Sequence, residues 1–329
     1  MRLLAFMRRH TEENFIVAAL LLLILFFGAT ADNFFSVVTL TTILNQLPAL
    51  TVVTVGMTLV LIVGGIDLSV GSVLGFSAAV VGVAMVSFGL PVPLACLLGL
   101  AAATACGLLN GALVAYLSLP SFIVTLGMLE MARGLGYLVT DSRTMYIGAS
   151  IQTLATPLPV IGVSAALLVA LLLVFAAAFA LNRTVFGRRI VAIGTNEHAA
   201  RMSGIDARPY RLLVLALSGL LAGLGGIFNA AYLGSADPNA GIGLELSAIA
   251  AAVIGGTSLL GGRGSVAGAF GGVLIISVLQ SGLAQVGVSE PGKRLITGAV
   301  IVVAVLIDRW RASAVAAVPS VPVRSDPRT

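Results

Sequence analysis

Asp67 is the only charged side chain between Asp32 and Glu130. An unpaired carboxylate in so long an apolar stretch is costly, so the residues beside it decide what it can do. In Val63-Gly64-Gly65-Ile66-Asp67-Leu68-Ser69 the glycines let the chain break between helices, and Asp67 followed by Ser69 can cap the orphan amides of the next helix. A gate, or a contact with a passing solute, is the other chemistry open to this carboxylate.

The remaining reactive residue types do not assemble into a catalytic set. His10 and His198 lie beside arginines and read as solvated surface. Glu130 and Arg133 fall on one helical span and are expected to neutralise each other. Cys96 and Cys106 lack metal-ligand spacing and read as packing residues. Gly287-Val288-Ser289-Glu290-Pro291-Gly292-Lys293 imitates the start of a phosphate loop, but Arg294 stands where a magnesium-binding hydroxyl is needed. Gly262-x-Gly264-x-x-Ala267 has no βαβ unit around it; Gly264, Gly268 and Gly272 read instead as a helix-packing face. No catalytic residue, metal, cofactor or nucleic-acid partner is expected.

The elements that position Asp67 must be membrane helices. Of 329 residues, 59% are hydrophobic and 9% charged, against about 25% charged in an average soluble domain. At about 20 apolar residues per crossing, spans are expected near 15–30, 37–63, 69–88, 93–115, 120–139, 159–181, 211–233, 246–260, 266–288 and 294–308. The fold class is therefore all-α: a polytopic membrane protein of about ten transmembrane helices. Arg8, Arg9, the apolar run from Phe15 to Phe27 and Ala29-Thr30-Ala31 imitate a secretory signal, but in so apolar a chain they read as an uncleaved first helix.

Charge position gives orientation. Arg2, Arg8 and Arg9, the six arginines from Arg183 to Arg211, Arg263, and Arg309, Arg311, Arg324 and Arg328 all fall on one side of this arrangement. Arg143, Lys293 and Arg294 fall on the other, so both termini are expected in the cytoplasm of a cell with this chain in its inner membrane. Residues 1–310 read as a single transmembrane domain with a cytoplasmic loop at 182–210, and 311–329 as a disordered cytoplasmic tail.

An internal repeat is visible. Gly64-Gly65, followed by Gly71-Ser72-Val73-Leu74-Gly75, matches Gly255-Gly256, followed after two extra residues by Gly264-Ser265-Val266-Ala267-Gly268. Offsets of 191 to 193 pair the second and third spans with the eighth and ninth. Glycine-broken helices in matching positions place the solute path between the repeats, lined by the helices that follow Gly65 and Gly256.

Four blocks in order carry a family resemblance. Gly64-Gly65-Ile66-Asp67-Leu68-Ser69-Val70-Gly71-Ser72 comes first, then Asn110-Gly111 with Pro120-Ser121-Phe122-Ile123-Val124-Thr125-Leu126-Gly127 and Arg133-Gly134. The third runs from Phe186-Gly187-Arg188 through Asn196-Glu197 to Ser203-Gly204-Ile205, and the fourth from Glu245-Leu246 to Gly261-Gly262. Together they resemble the ribose/xylose-type sugar ABC permease family over about residues 33 to 310. Thr195, Ser247 and Glu130 depart from the family pattern, which prefers a glycine, an aspartate and an uncharged residue there.

The resemblance implies the membrane subunit of a binding-protein-dependent importer for a sugar-like solute. Its partners would be a cytoplasmic ATPase subunit, an extracytoplasmic solute-binding protein and a second permease, identical or paralogous. On this reading Asp67, Ser69, Ser72, Glu245 and Ser258 belong to the translocation path or its gate. Gly187, Arg188, Asn196, Glu197, Ala200, Arg201 and Gly204 belong to the ATPase coupling segment. There Asn196 is expected to start a short helix and Gly204 to stop it, with Glu197 and Arg201 paired and Ala199, Ala200 and Met202 offering an apolar contact. An ion-coupled secondary transporter and a branched-chain amino acid ABC permease are the alternatives.

Overall fold

The computed structural model describes residues 2–158 and 162–316, with side chains over 14–158, 162–303, 305 and 306. The side chain of His10 and the tail beyond 316 lie outside the described residues. Helix α1 (Arg2–Thr30) is followed by α2 (Val37–Ile62), α3 (Val70–Val86), α4 (Val92–Tyr116) and α5 (Ser121–Thr140). Past strand β1 (Met145–Tyr146) and the single turn α6 (Ala149–Gln152) come α7 (Ala165–Arg183), α8 (Val185–Thr195), α9 (Glu197–Met202) and α10 (Arg208–Leu233). Strand β2 (Ser235–Ala236) pairs antiparallel with β1, and α11 (Leu244–Ile254), α12 (Val266–Gln285) and α13 (Glu290–Ala316) follow. The chain is thus an all-α polytopic membrane protein.

Among the described residues six helices, α2, α4, α5, α7, α10 and α12, are long and apolar enough to cross a bilayer. The apolar part of α1, together with α3 and α11, is shorter. Helix α11 differs from expectation. Its 11 residues span about 16 Å at 1.5 Å per residue, well short of a hydrocarbon core of about 30 Å. The reason is local: the chain turns at Gly255-Gly256 and leaves the helix, so residues expected to finish a crossing form a loop. At the other end of the chain, α13 continues to Ala316, past the expected domain limit at 310.

Helix α2 is the centre of the bundle. From Leu47 to Val63 every residue is buried, including Thr51, Thr54 and Thr58, against α7, α10, α11 and α12. Helix α3 is buried almost as completely. The outer helices α4, α5 and α7 instead expose large apolar side chains such as Leu97, Leu138 and Phe175, the inverse of a soluble surface. Cys106 is buried and Cys96 half-buried, both free and packed among apolar side chains.

The repeat is preserved in the hydrogen bonds that stop α2 and α11. At the end of α2, Gly64 N–H donates to Leu61 O and Gly65 N–H to Val60 O; at the end of α11, Gly256 N–H donates to Val253 O and Thr257 N–H to Ala252 O. Both are left-handed helix stops, with φ of 85° at Gly64 and 87° at Gly256. The structural offset, from 64 to 256, is therefore 192, and Gly65 corresponds to Thr257 rather than to Gly256. The second shared string is also used differently: Gly71-Ser72 lies inside α3, whereas Gly264-Ser265 precedes α12, with Ser265 Oγ capping the amide of Gly268.

Of the expected packing glycines, Gly268 and Gly272 lie so close to α11 that a Cβ would strike the carbonyls of Gly255 and Ala251. Gly264 sits before the helix and meets Ile62 instead.

Candidate functional site

Asp67 is 1% exposed and fully engaged. Its Oδ1 accepts from the backbone N–H of Ser69 at 3.0 Å and from Ser69 Oγ at 2.6 Å, and its Oδ2 accepts from Ser218 Oγ of α10 at 2.7 Å. Ser69 Oγ in turn accepts from Asn110 Nδ2 of α4 at 3.1 Å. The carboxylate therefore satisfies the amide just before α3, not one inside its first turn, and it ties α3 to α4 and α10. Hydrogen bonds from Ser69 and Ser218 thus satisfy both oxygens of this buried carboxyl group.

The rest of the break is held by α5. Ser121 Oγ accepts from Ile66 N–H at 3.0 Å, and Thr125 Oγ1 accepts from Leu68 N–H at 3.0 Å. Ser121 and Thr125 are one turn apart on α5, so both hydroxyls face the same loop. Ser218, Ser121 and Thr125 were not identifiable as site residues from sequence, although Asn110, Ser121 and Thr125 lie in the blocks of resemblance.

Glu245 stands at the start of α11 and leans over α3. Its Oε1 accepts from Gly243 N–H at 3.2 Å, and Oε2 is buried without a hydrogen-bond partner among the described residues. A Cβ at Gly71 would collide with Glu245 Oε2 and with the carbonyl of Gly241, so only glycine admits this approach. Ser72, one residue on, is buried, and among the described residues its hydroxyl also lacks a partner. Asp67, Ser69, Ser72 and Glu245 thus gather around the start of α3. Ser258 does not join them. It is 4% exposed in the loop after α11, where its Oγ accepts from Leu260 N–H at 3.2 Å.

Arg133 does not pair with Glu130. It donates to the carbonyls of Pro238 at 2.9 Å and Ala240 at 3.1 Å, fastening the loop before α11 to α5, while Glu130 points outward and is exposed. On a helix, residues three apart are neighbours only if both side chains stay on the shared face; the two carbonyls draw Arg133 inward.

The 184–207 segment contains two helices rather than one. Thr184 Oγ1 accepts from Gly187 N–H to start α8, and a Cβ at Gly187 would strike Leu181 O, which fixes the tight corner after α7. Arg189 donates to Tyr210 Oη and lies 5.7 Å from the Tyr210 ring, while Arg188 is exposed. Asn196 Oδ1 then caps α9 through Ala199 N–H at 3.0 Å, and Gly204, at φ 79°, stops it. Two expectations need correction. Glu197 pairs with Arg211 of α10, through bonds of 3.1 and 2.6 Å, and not with Arg201. Ala200 is 5% exposed and packs into the protein's own core, leaving Ala199, Arg201 and Met202 on the outside. An isolated six-residue helix is too short to be stable, and the buried Ala200 and the Arg211 clamp hold this one.

A cavity of about 410 Å³ opens between the end of α2, the α4–α5 connection and the start of α10. Gly64, Gly65, Ser118, Ser121, Arg211 and Leu259 are among its lining residues. Among the described residues no cluster of metal-ligating side chains occurs.

Residues 39–305 match the family described as branched-chain amino acid transport system / permease component. The chain belongs to this permease family. Within it, the permease is 39% identical to the ribose import permease protein of Escherichia coli K12 over 283 residues, covering 84% of this chain and 87% of that one. It is 36% identical to the fructose import permease protein of Rhizobium meliloti over 286 residues, covering 84% and 79%. It is 34% identical to the autoinducer 2 import system permease protein of Photorhabdus luminescens over 276 residues, covering 84% and 83%. The ribose/xylose-type resemblance read from the four blocks is thereby shown.

Proposed function

We propose that this permease is the membrane subunit of an ABC importer that carries a sugar or similar small polar solute into the cytoplasm. The observation that carries the reading is the similarity, along most of both chains, to three permeases named for import of ribose, fructose and autoinducer 2. In this reading α1, α2, α3, α4, α5, α7, α10, α11, α12 and α13 are ten membrane helices, with both termini cytoplasmic. The cavity beside Gly64 and Arg211 is the cytoplasmic mouth of the solute path. The polar residues around the start of α3 and the Ser258 loop form its gate.

Energy comes from a separate ATPase subunit that docks on the 184–207 segment, and solute from an extracytoplasmic binding protein; two permeases complete the assembly. The secondary-transporter alternative fits the family match and the three named import permeases less well. The family's description favours one other solute class, branched-chain amino acids. Uptake of labelled D-ribose, D-fructose and L-leucine in a strain deleted for this gene and complemented with it tests the reading. ATP-dependent sugar uptake restored by the gene supports it, and restored leucine uptake alone would overturn the solute class.

A further inference from the structure

The last turn of α8 meets the end of α2 and the loop after α11 at one point. The amide of Gly262, in the loop after α11, donates to Ile62 O at the end of α2 at 2.9 Å. Gly194 of α8 lies against this bond: a Cβ there would collide with Ile62 O and lie 2.6 Å from Gly262 N. Gly261 closes the third side, since its Cβ would lie 2.9 Å from Gly194 O and 3.0 Å from the Cα of Gly64. Thr195 Oγ1 donates to Val191 O at 2.8 Å and lies 3.4 Å from Gly262 O.

Backbone therefore touches backbone among three segments far apart in sequence. Such contacts have no side-chain slack. A displacement of one segment is transmitted to the others instead of being absorbed by rotamer changes, because close-packed interiors do not deform continuously.

We propose that Gly194 is a positioning residue for transport: it joins the 184–207 segment to the helix stop at Gly64 and to Gly261-Gly262 in the loop after α11, so that the three move as one body when the ATPase acts. The proposal rests on the importer reading and extends it, by naming where the movement enters the path and why both repeats respond together. Gly194 is not among the glycines with positive φ. Replacing it with alanine therefore perturbs the contact without straining its own backbone.

The test uses the reconstituted complex of permease, ATPase and binding protein in vesicles. Gly194→Ala is expected to keep ATP hydrolysis while D-ribose or D-fructose taken up per ATP falls at least about tenfold, within the range typical of coupling between sites. A merely structural defect would lower hydrolysis and uptake together.

A second arm needs no solute. With Cys96 and Cys106 replaced by alanine, spin labels at His198→Cys and Leu260→Cys, both exposed positions, report the separation of α9 from the loop after α11. The joint predicts the same pulsed-EPR distance without nucleotide and with ADP and vanadate trapped, and a shift between those states in Gly194→Ala. A shift with Gly194 intact, or normal sugar taken up per ATP in Gly194→Ala, would overturn the joint. Absence of ATP-driven sugar uptake by the unmutated complex, with the EPR distances as expected, would overturn the importer reading instead.

Discussion

Ser218 Oγ donates to Asp67 Oδ2 at 2.7 Å across 151 residues of sequence. This single bond decides which helices the signature carboxylate holds, because Ser218 sits in the middle of α10 while Asp67 sits in the break between α2 and α3. Asparagine can keep the arrangement, with its oxygen accepting from Ser69 and its amide donating to a rotated Ser218 hydroxyl. Asp67→Asn is therefore expected to fold and to retain measurable uptake. Asp67→Leu orphans the donors of Ser69 and Ser218, at about 1–3 kcal/mol for each buried group, and should lower the yield of folded protein in detergent. Loss of uptake in well-folded Asp67→Asn would mean that the charge itself gates.

The burial of Ala200 separates folding from docking. Ala200→Trp forces an indole into the permease's own core and should abolish the monodisperse peak on size exclusion. Met202 is 77% exposed, so Met202→Trp should elute normally and bind the ATPase poorly, lowering ATP-driven uptake by about tenfold. Wild-type uptake in Met202→Trp would remove α9 from the docking surface.

Ser72 and Ser258 are both nearly inaccessible. Cysteines placed there should react slowly with small aqueous thiol reagents at rest and faster while the complete importer turns over ATP. The comparison needs Cys96 and Cys106 removed first. Protection that persists unchanged through turnover would count against a path between the repeats.

The approach of α12 to α11 depends on Gly272, where a side chain would strike Ala251 O. Gly272→Leu should cost about 1–3 kcal/mol, as overpacking does, read as a lowered midpoint of thermal unfolding in detergent. Gly298, with open space beside it, is the matched control, where leucine should shift the midpoint far less.

The bundle was largely legible because hydropathy reports burial in lipid or protein alike: expected spans 37–63, 93–115 and 120–139 end within a residue of α2, α4 and α5. The cap at Asn196 and the stop at Gly204 were legible too, being local chemistry. Tertiary choices were not. Glu197 had Arg201 within helical reach, yet took Arg211, and nothing local distinguishes the two. Arg133 abandoned Glu130 for carbonyls that only the folded chain brings near. Helix α8 escaped notice because it is short: 11 residues with two adjacent arginines and an apolar run of only four, Ile190 to Ile193. The repeat was aligned by its letters, whereas the fold keeps its hydrogen bonds, and these differ by one residue.

That one-residue difference assigns unequal mutational tolerance to neighbouring codons. At Gly64 and Gly256 the backbone lies where L-amino acids are strained, and every residue one base change from glycine has a β-carbon. Gly65 has ordinary φ and only moderately close neighbours in Val60 and Ser121, and its counterpart already carries the branched side chain of Thr257. In a saturation library selected for uptake, positions 64 and 256 should stay monochrome while 65 admits small substitutes. Drift in this gene can thus change Gly65, while Gly255, whose Cβ would lie 2.3 Å from Ala269 N, and the left-handed Gly64 and Gly256 stay fixed, so the duplication fades from the letters at one position before it fades from the backbone.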